Sequence, residues 1–448
     1  MKKNIYIYIV LLLTTIGSVN AQDYFSFYNL GDYVAQTQNV SPVYLPKNSF
    51  TFGTPANIGG VFNSNLTLNQ FMVNTGNQLE IDFNQLAANA EEKNNLNTDL
   101  SANLFMLAFK TKKGSFTLFA NVKSTLSWQY SDDFANVAAN GFASSFALTD
   151  DKMISSSYAE FGIGITRKFF NDKLAIGLRL KSLSGIAHME TVENSSLSVD
   201  IDQNSSVWTV NAMNATVNSA GIPGEDEDFE FGKNTGFGFD IGATYAINKK
   251  LTLELAVNDI GSINWTENVT NYNIEDANGA TFSGADLNSG NIEDEIEDAL
   301  NDVIGTNETN ESFKTKLATK TYLSAKYQIS KKNAFTAAFF KNSSAIIDIK
   351  PSYALGYNRT LNKTTFGVLA SAGGPNSDVR FGANAVVKLG FLQLYAATDN
   401  ISNLFGKVEE ANGGNIRVGL NFVFGYNKWI KKRKLAEELL EQKKQELE

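Results

Sequence analysis

Between Gly236 and Ile247 every second residue is apolar. Phe237, Phe239, Ile241, Ala243, Tyr245 and Ile247 share one face; Gly236, Gly238, Asp240, Gly242, Thr244 and Ala246 share the other. Successive side chains of a strand point to opposite faces, so this segment predicts a strand with one apolar and one small or charged face. The period recurs at Leu174–Leu183, Leu251–Asn258, Val379–Lys388 and Ile416–Phe424. Six very short, polar connections join such runs, at 111–114, 170–173, 248–250, 330–332, 360–363 and 389–390. Short polar links between alternating runs are hairpin chemistry. The connections between hairpins are mostly long (63–98, 130–155, 187–235, 264–316 and 400–414), with 342–345 and 372–378 as short exceptions.

Short turns alternating with long loops are the asymmetry of an outer-membrane barrel, with short turns toward the periplasm. A soluble sandwich would instead bury the apolar faces between two sheets. The runs predict strands at 49–62, 99–111, 115–129, 156–168, 173–186, 236–247, 251–263, 317–329, 333–341, 346–359, 364–371, 379–388, 391–399 and 415–425. That is an all-β fold, a transmembrane antiparallel β-barrel of about fourteen strands, with both termini on the short-turn side. Leu100–Lys110 alternates poorly. Ser195–Val217 reads as an extracellular hairpin extension, and Leu68–Asn95 and Asn291–Ile304 as short helices in loops. No apolar run after the leader reaches the roughly 20 residues of a helical span. A closed barrel is then the spanning structure available, because unpaired backbone groups cannot face lipid.

The ends differ from the middle. Residues 1–21 read as a signal peptide: Lys2 and Lys3 precede an apolar stretch, and Val19-Asn20-Ala21 fits a cleavage site. Residues 22–48 carry Tyr24, Phe25, Phe27, Tyr28 and Tyr33 without strand alternation. This segment is expected to plug the lumen or lie across its periplasmic mouth. Residues 426–448 are dense in Lys, Glu, Gln and Leu and predict a charged periplasmic helix, with 427–448 a place for a periplasmic protein to dock.

Composition narrows the function. There is no cysteine, hence no disulfide and no thiolate metal site. The formal charge of −9 becomes −11 once Lys2 and Lys3 are removed, which argues against a nucleic-acid partner. His188 is the single histidine, and spacing selects neither a nucleophile nor an orienting acid for it. No catalytic residue, cofactor or metal ligand is expected. The acidic runs at 225–230 and 293–298 lack EF-hand spacing and read as solvated loops.

The polar strand faces say more. Alternation turns Glu160, Arg179, Lys181, Asp240, Glu254, Lys326, Arg380, Asn384, Lys388, Gln393, Arg417 and Asn421 inward. Charges on a lipid face are costly, so these belong in a wet or mutually paired interior. They line either a solute path or an ion-paired filling. Glu160 is expected to pair with Arg179 or Lys181. Phe239, Ile241, Leu253, Val418 and Leu420 are expected to meet outer-membrane lipid. Ile241→Arg should therefore be tolerated far less than Asp240→Arg.

Asn39-Val40-Ser41-Pro42-Val43-Tyr44-Leu45-Pro46, followed by the strand Phe50-Thr51-Phe52-Gly53, resembles the start of an uncharacterised Bacteroidota outer-membrane family, domain of unknown function 5723. Leu79-Glu80-Ile81-Asp82-Phe83 and Tyr158–Gly164 running on to Leu180–Gly185 resemble it too. That family is similar to long-chain fatty-acid transporter barrels, which have fourteen strands and an N-terminal plug. The resemblance implies a cell outer-membrane channel for a small hydrophobic or amphipathic solute. A structural or assembly role through the tail, and a secreted soluble binding protein, are the alternatives.

Overall fold

The computed structural model describes residues 24–75, 79–205, 207–221, 232–282, 306–344, 347, 349–361, 363–374, 379–401, 408–425, 435 and 439. The leader at 1–21, both acidic runs, the helix expected at 291–304 and, apart from Leu435 and Leu439, the tail helix lie outside them.

Fourteen antiparallel staves form the wall. They are β1 (Phe50–Gly53 continued by Asn57–Ser64), β2 (Asn94–Lys110), β3 (Gly114–Tyr130), β4 (Lys152–Phe169), β5 (Leu174–Thr191), β6 (Thr235–Ala246) and β7 (Leu251–Trp265). The circuit continues with β8 (Thr319–Ser330), β9 (Asn333–Ser343), β10 (Ser352–Thr360), β11 (Thr364–Gly373), β12 (Arg380–Leu389), β13 (Leu392–Thr398) and β14 (Gly413–Phe424). Each pairs with its successor, and β14 closes on β1 with Phe50 opposite Phe424 and Ile58 opposite Val418. Closure removes the edges on which unpaired backbone groups would otherwise sit. The break in β1 falls at Pro55, which has no N–H to donate. Asn57 Nδ2 spans the gap by donating to the carbonyls of Thr54 and Leu420.

The polarity is the reverse of a soluble barrel's. Ile165, Ile241, Leu253, Leu355, Val368 and Phe381 stand exposed on the outer face, and Phe239, Val418 and Leu420 are half-buried there. Glu160, Arg179, Lys181 and Asp240 are each at most 1% exposed on the inner face. Near the rim of short turns, Phe50, Phe109, Phe391, Phe422 and Phe424 form a run of ring contacts with centroids 5.0–6.5 Å apart. Such aromatic girdles suit a membrane–water boundary.

Bulges explain the irregular sequence patterns. In β2 the ladder runs Asn103–Asn121 and then Phe105–Ala120. Leu104 is the extra residue, so Leu104 and Phe105 both face outward, which is why 100–110 alternates poorly. β10 begins at Ser352, after Pro351, rather than at the expected 346. Leu68–Asn95 is not one helix: it holds a small hairpin (Met72–Asn74 with Leu79–Ile81) and the helix α2 (Phe83–Asn89), capped by Asp82. Two further α-helices are α1 (Phe25–Tyr28) and α3 (Asp132–Asn140), and short 3-10 helices lie at Gly31–Tyr33, Ala35–Asn39, Leu68–Gln70 and Val408–Glu410. In the 192–234 connection, Ser196–Asp202 and Val207–Met213 form a hairpin, which joins Phe146–Leu148 and Ala277–Phe282 in a second sheet.

The wall is uneven. β2 to β5 are 17 or 18 residues long, whereas β10 to β13 have 7 to 10. All rise from the same short-turn rim. At ~3.3 Å per residue and the usual strand tilt, the described strands on one side reach roughly 20 Å beyond those on the other.

Candidate functional site in the lumen

Side chains of β2 to β8 converge on one buried network. Asp240 Oδ2 lies 3.2 Å from Arg179 Nη1, and Asp240 Oδ1 lies 2.6 Å from Lys181 Nζ. Lys181 also reaches Asp259 at 2.5 Å and Glu160 at 3.6 Å. Lys123 joins Glu160 at 3.1 Å and Asp259 at 3.0 Å. Lys320 extends the chain to Asp259 at 3.9 Å and contacts Asp99. Four cations alternate with four carboxylates, so none of these charges is left alone in the crowded interior. Breaking such a pair strands its partner, which is far costlier than losing an exposed ion pair.

Four of these members escaped the sequence reading. Lys123 shares parity with the inward Phe119 and Asn121, so alternation along β3 could have found it. Asp259 could not be found that way. It sits at φ +60° in a bulge of β7, where the pairing with β6 slips between Phe239 and Ile241. The slip turns both Asn258 and Asp259 inward and reverses the parity beyond, so that Ile263 and Trp265 are fully buried.

The other expected residues lie outside the network. Glu254 accepts a 2.5 Å hydrogen bond from Ser41 Oγ. Lys326 and Lys388 are half-buried toward the short-turn rim, with Lys388 donating to Asn48 Oδ1 at 2.8 Å. Arg380 donates to the Gly373 carbonyl at the opposite end of β12. Asn384 is buried. The Arg417 guanidinium lies over the rings of Tyr24 and Phe27, 4.3 and 4.7 Å from their centroids.

Those two rings belong to residues 24–48, which pack against inward-facing side chains around the wall. Tyr24, Phe25, Phe27 and Tyr28 are buried among Tyr322, Phe340, Leu369, Val386, Tyr395 and Ala397. Tyr28 stacks on Tyr322 at 5.1 Å and shares a 2.8 Å hydrogen bond with Ser324. The backbone N–H groups of Phe25 and Ser26 donate to the two oxygens of Asp399, at 2.9 and 2.5 Å. Gln36 and Asn421 exchange amide hydrogen bonds of 2.8 and 2.9 Å. Arg179 donates to the Gln38 carbonyl and Asn258 to that of Val40. Tyr33 is half-buried against Thr360 near the short turns. The wall is thinned to admit this segment: a Cβ on Gly177 would lie 2.1 Å from the Pro42 carbonyl oxygen, and one on Gly382 would lie 2.6 Å from Ser26 Oγ.

Beyond the network, on the long-connection side, a small vestibule of about 60 Å³ opens between Tyr24, Asp99, Ser156, His188, Lys320 and Phe340. His188 stacks on Trp265 at 5.0 Å. Its Nδ1 lies 3.2 Å from Ser156 Oγ and its Nε2 lies 3.4 Å from Glu190 Oε2. The trio is not arranged for acyl transfer. Ser156 is in mid-ladder, opposite Thr125 on one side and His188 on the other, which commits the local N–H groups to the sheet instead of to an oxyanion. Among the described residues, no cluster of three or more His, Cys, Asp or Glu could hold a metal ion.

A closed barrel with an apolar exterior, a charged interior and its own N-terminal segment lodged inside defines an inside-out, internally occluded β-barrel. The chain belongs to the family of unknown function DUF5723, whose model matches residues 42–399. No curated protein matches it. Among solved structures it is similar to the toluene transporter TbuX of Ralstonia pickettii, at 7% identity and a TM-score of 0.43, over 91% of this chain and 97% of that one. It is also similar to a deletion mutant of the monoaromatic hydrocarbon channel TodX, at 9% identity and a TM-score of 0.46, over 88% and 95% of the two chains. A third likeness is to the CymD monoaromatic hydrocarbon channel, at 9% identity and a TM-score of 0.34, over 92% and 98%.

Proposed function

We propose that this protein is an outer-membrane channel for a small hydrophobic or amphipathic solute, with residues 24–48 as the plug that holds it closed. The observation that carries the reading is how the lumen is occluded. On the β8 to β14 side, the filling is a separate segment rather than side chains of the wall, and a vestibule stands above it. An apolar outer face with an aromatic girdle places the barrel in a bilayer. The leader read from the sequence and the strand asymmetry support an outer-membrane location, with the short turns toward the periplasm. Catalysis has no role in this reading.

The test is solute flux into proteoliposomes, with planar-bilayer conductance in parallel. The intact chain should pass little, and a chain lacking 22–37 should leak. A structural role is the second reading, favoured by the ion pairs that fill the β2 to β7 side. Unchanged permeability in a properly assembled deletion variant would select it. Loss of envelope partners on truncation after Tyr426 would then assign that role to 427–448.

A further inference from the structure

The short-turn rim carries a charge that the chain as a whole does not. The protein has a formal charge of −9, yet cations crowd the short turns of the wall. Lys112-Lys113, Lys249-Lys250 and Lys331-Lys332 stand exposed within the turns that follow β2, β6 and β8. In the turn after β4, exposed Lys173 is joined by Arg167 from the stave itself, and after β10 exposed Lys363 is joined by Arg359 in the same way. Among the described residues, the exposed carboxylates at this end are Asp32 and Asp172, and both are engaged. Asp32 Oδ1 accepts the Leu45 N–H at 2.9 Å, and Asp172 lies 3.4 Å from Lys168 Nζ. The opposite end has the reverse sign, with Glu91, Glu92, Glu193, Asp200, Asp202 and Asp276 exposed in or beside its long connections.

Two features indicate what the rim faces. The cation pairs occupy five consecutive short turns, from β2 to β11, so the charge runs round most of the wall instead of forming one patch. Exposed apolar side chains stand among them: Phe169 and Phe170 before Lys173, Ile247 before Lys249, Ile329 before Lys331 and Leu361 before Lys363. Arg167 and Arg359 belong to the outward face itself, in line with the exposed Ile165 and Leu355. A guanidinium there is costly in hydrocarbon, and extends its apolar stem to reach the interface. Its planar fork then matches a phosphate with two hydrogen bonds. A docked protein would cover one sector of such a rim. A layer of lipid meets all of it, with phosphates against the cations and glycerol and acyl carbons against the apolar residues.

We propose that the short-turn rim is a collar for anionic phospholipid, whose phosphodiesters in the adjoining leaflet seat on the cation pairs in preference to those of zwitterionic lipid. A zwitterionic head group brings its own ammonium beside the phosphate and gains less from a second cation. Basic residues at a membrane surface attract anionic lipid additively and lose that attraction within a Debye length. The collar needs the barrel to sit in a bilayer and is independent of whether the lumen conducts.

The experiment is electron spin resonance of the full-length protein in phosphatidylcholine vesicles that carry a trace of spin-labelled phosphatidylglycerol or of spin-labelled phosphatidylcholine. The fraction of each label immobilised on the protein gives their relative affinity. At low salt, phosphatidylglycerol should be selected at least about threefold. At about 1 M salt, where the Debye length is about 3 Å, the selection should fall close to one. Lys249→Gln, Lys250→Gln, Lys331→Gln and Lys332→Gln, combined and shown to be folded by heat-modifiable migration, should remove about half of the selection or more. Arg167→Gln with Arg359→Gln should act in the same sense, and serves if the fourfold variant fails to assemble. Equal immobilisation of both labels by the parent, or a selection that survives both sets of substitutions, overturns the inference. Polyglutamate bound to the reconstituted protein in the absence of any lipid selection also overturns it, and would assign the rim to an acidic protein.

Discussion

The two sides of the lumen are filled by different means. From β2 to β7 the wall fills itself: Lys123, Glu160, Arg179, Lys181, Asp240 and Asp259 are anchored in neighbouring staves and neutralise one another. From β8 to β14 the wall offers Tyr322, Phe340, Leu369, Val386 and Tyr395, and the covering comes from Phe25, Phe27 and Tyr28. Charges joined through short, directional contacts fix the spacing of the staves. Aromatic faces tolerate sliding and are satisfied by anything apolar. Withdrawing the N-terminal segment would take from the first side the bonds of Arg179 with Gln38, Asn258 with Val40 and Glu254 with Ser41 while leaving its ion pairs in place, and would leave the second side bare. On the proposed channel reading, rigidity and closure fall to different halves, and substitutions in each half test that division.

The largest effect is expected at Lys181. Its ammonium stands between Asp240, Asp259 and Glu160, and Lys181→Ala leaves three buried carboxylates short of a cation. A loss of about 3–5 kcal/mol follows for a broken buried pair, read from urea unfolding in detergent. Permeability of whatever folded protein remains should stay low, because the plug side is untouched. A leaky but stable variant would break the comparison.

Ile241→Arg comes next. It sets a cation on the outer face and should cost about 2–4 kcal/mol near mid-membrane, measured as the folded fraction after refolding into liposomes. The sequence alone ranks Asp240→Arg as mild beside it. The structure corrects that ranking, because Asp240 holds Arg179 and Lys181 and a third cation there would repel both.

Asp399→Ala acts on the other half. It removes the carboxylate that receives the Phe25 and Ser26 N–H groups, at about 1–3 kcal/mol for the stranded donors. Its expected signature is a rise in conductance that exceeds its effect on stability. Equal conductance to the parent would place the closure elsewhere. Tyr28→Leu keeps the bulk but loses the stack on Tyr322 and the bond to Ser324, for about 0.5–1.5 kcal/mol from the ring pair. A small rise in leakage without loss of the barrel sharpens the assignment of the aromatic side to closure.

Much of the wall was legible in the sequence because a strand's period of two is rigid. Gly236–Ile247 announces β6, and Asn248-Lys249-Lys250 announces the turn after it. Where the period breaks, inference from alternation breaks too. Leu104 and Asp259 each insert one residue, and the inward set beyond them changes parity. The charged site was half legible for the same reason: Glu160, Arg179, Lys181 and Asp240 follow the alternation, but Asp259 follows the bulge. Which of the twelve inward residues touch was legible only for the expected pair of Glu160 with Lys181. Contact depends on stagger around the barrel, so Glu160 has Lys123 as its nearer partner and Lys181 as its farther one. The path of residues 24–48 was equally hidden, since aromatic content predicts burial but not the Asp399 carboxylate on which the first turn rests.

The uneven wall has a consequence for how a molecule arrives. A tube cut square can be entered only from directly above. This one is cut on a slant, so its mouth has a front and a back. On the proposed channel reading, a solute drifting along the cell surface, where weakly soluble compounds collect, would meet the low staves β10 to β13 as a threshold and the tall staves β2 to β5 as a screen behind it. Capture would then depend on the direction of approach, and the way neighbouring proteins crowd the low side would set how often the doorway is clear.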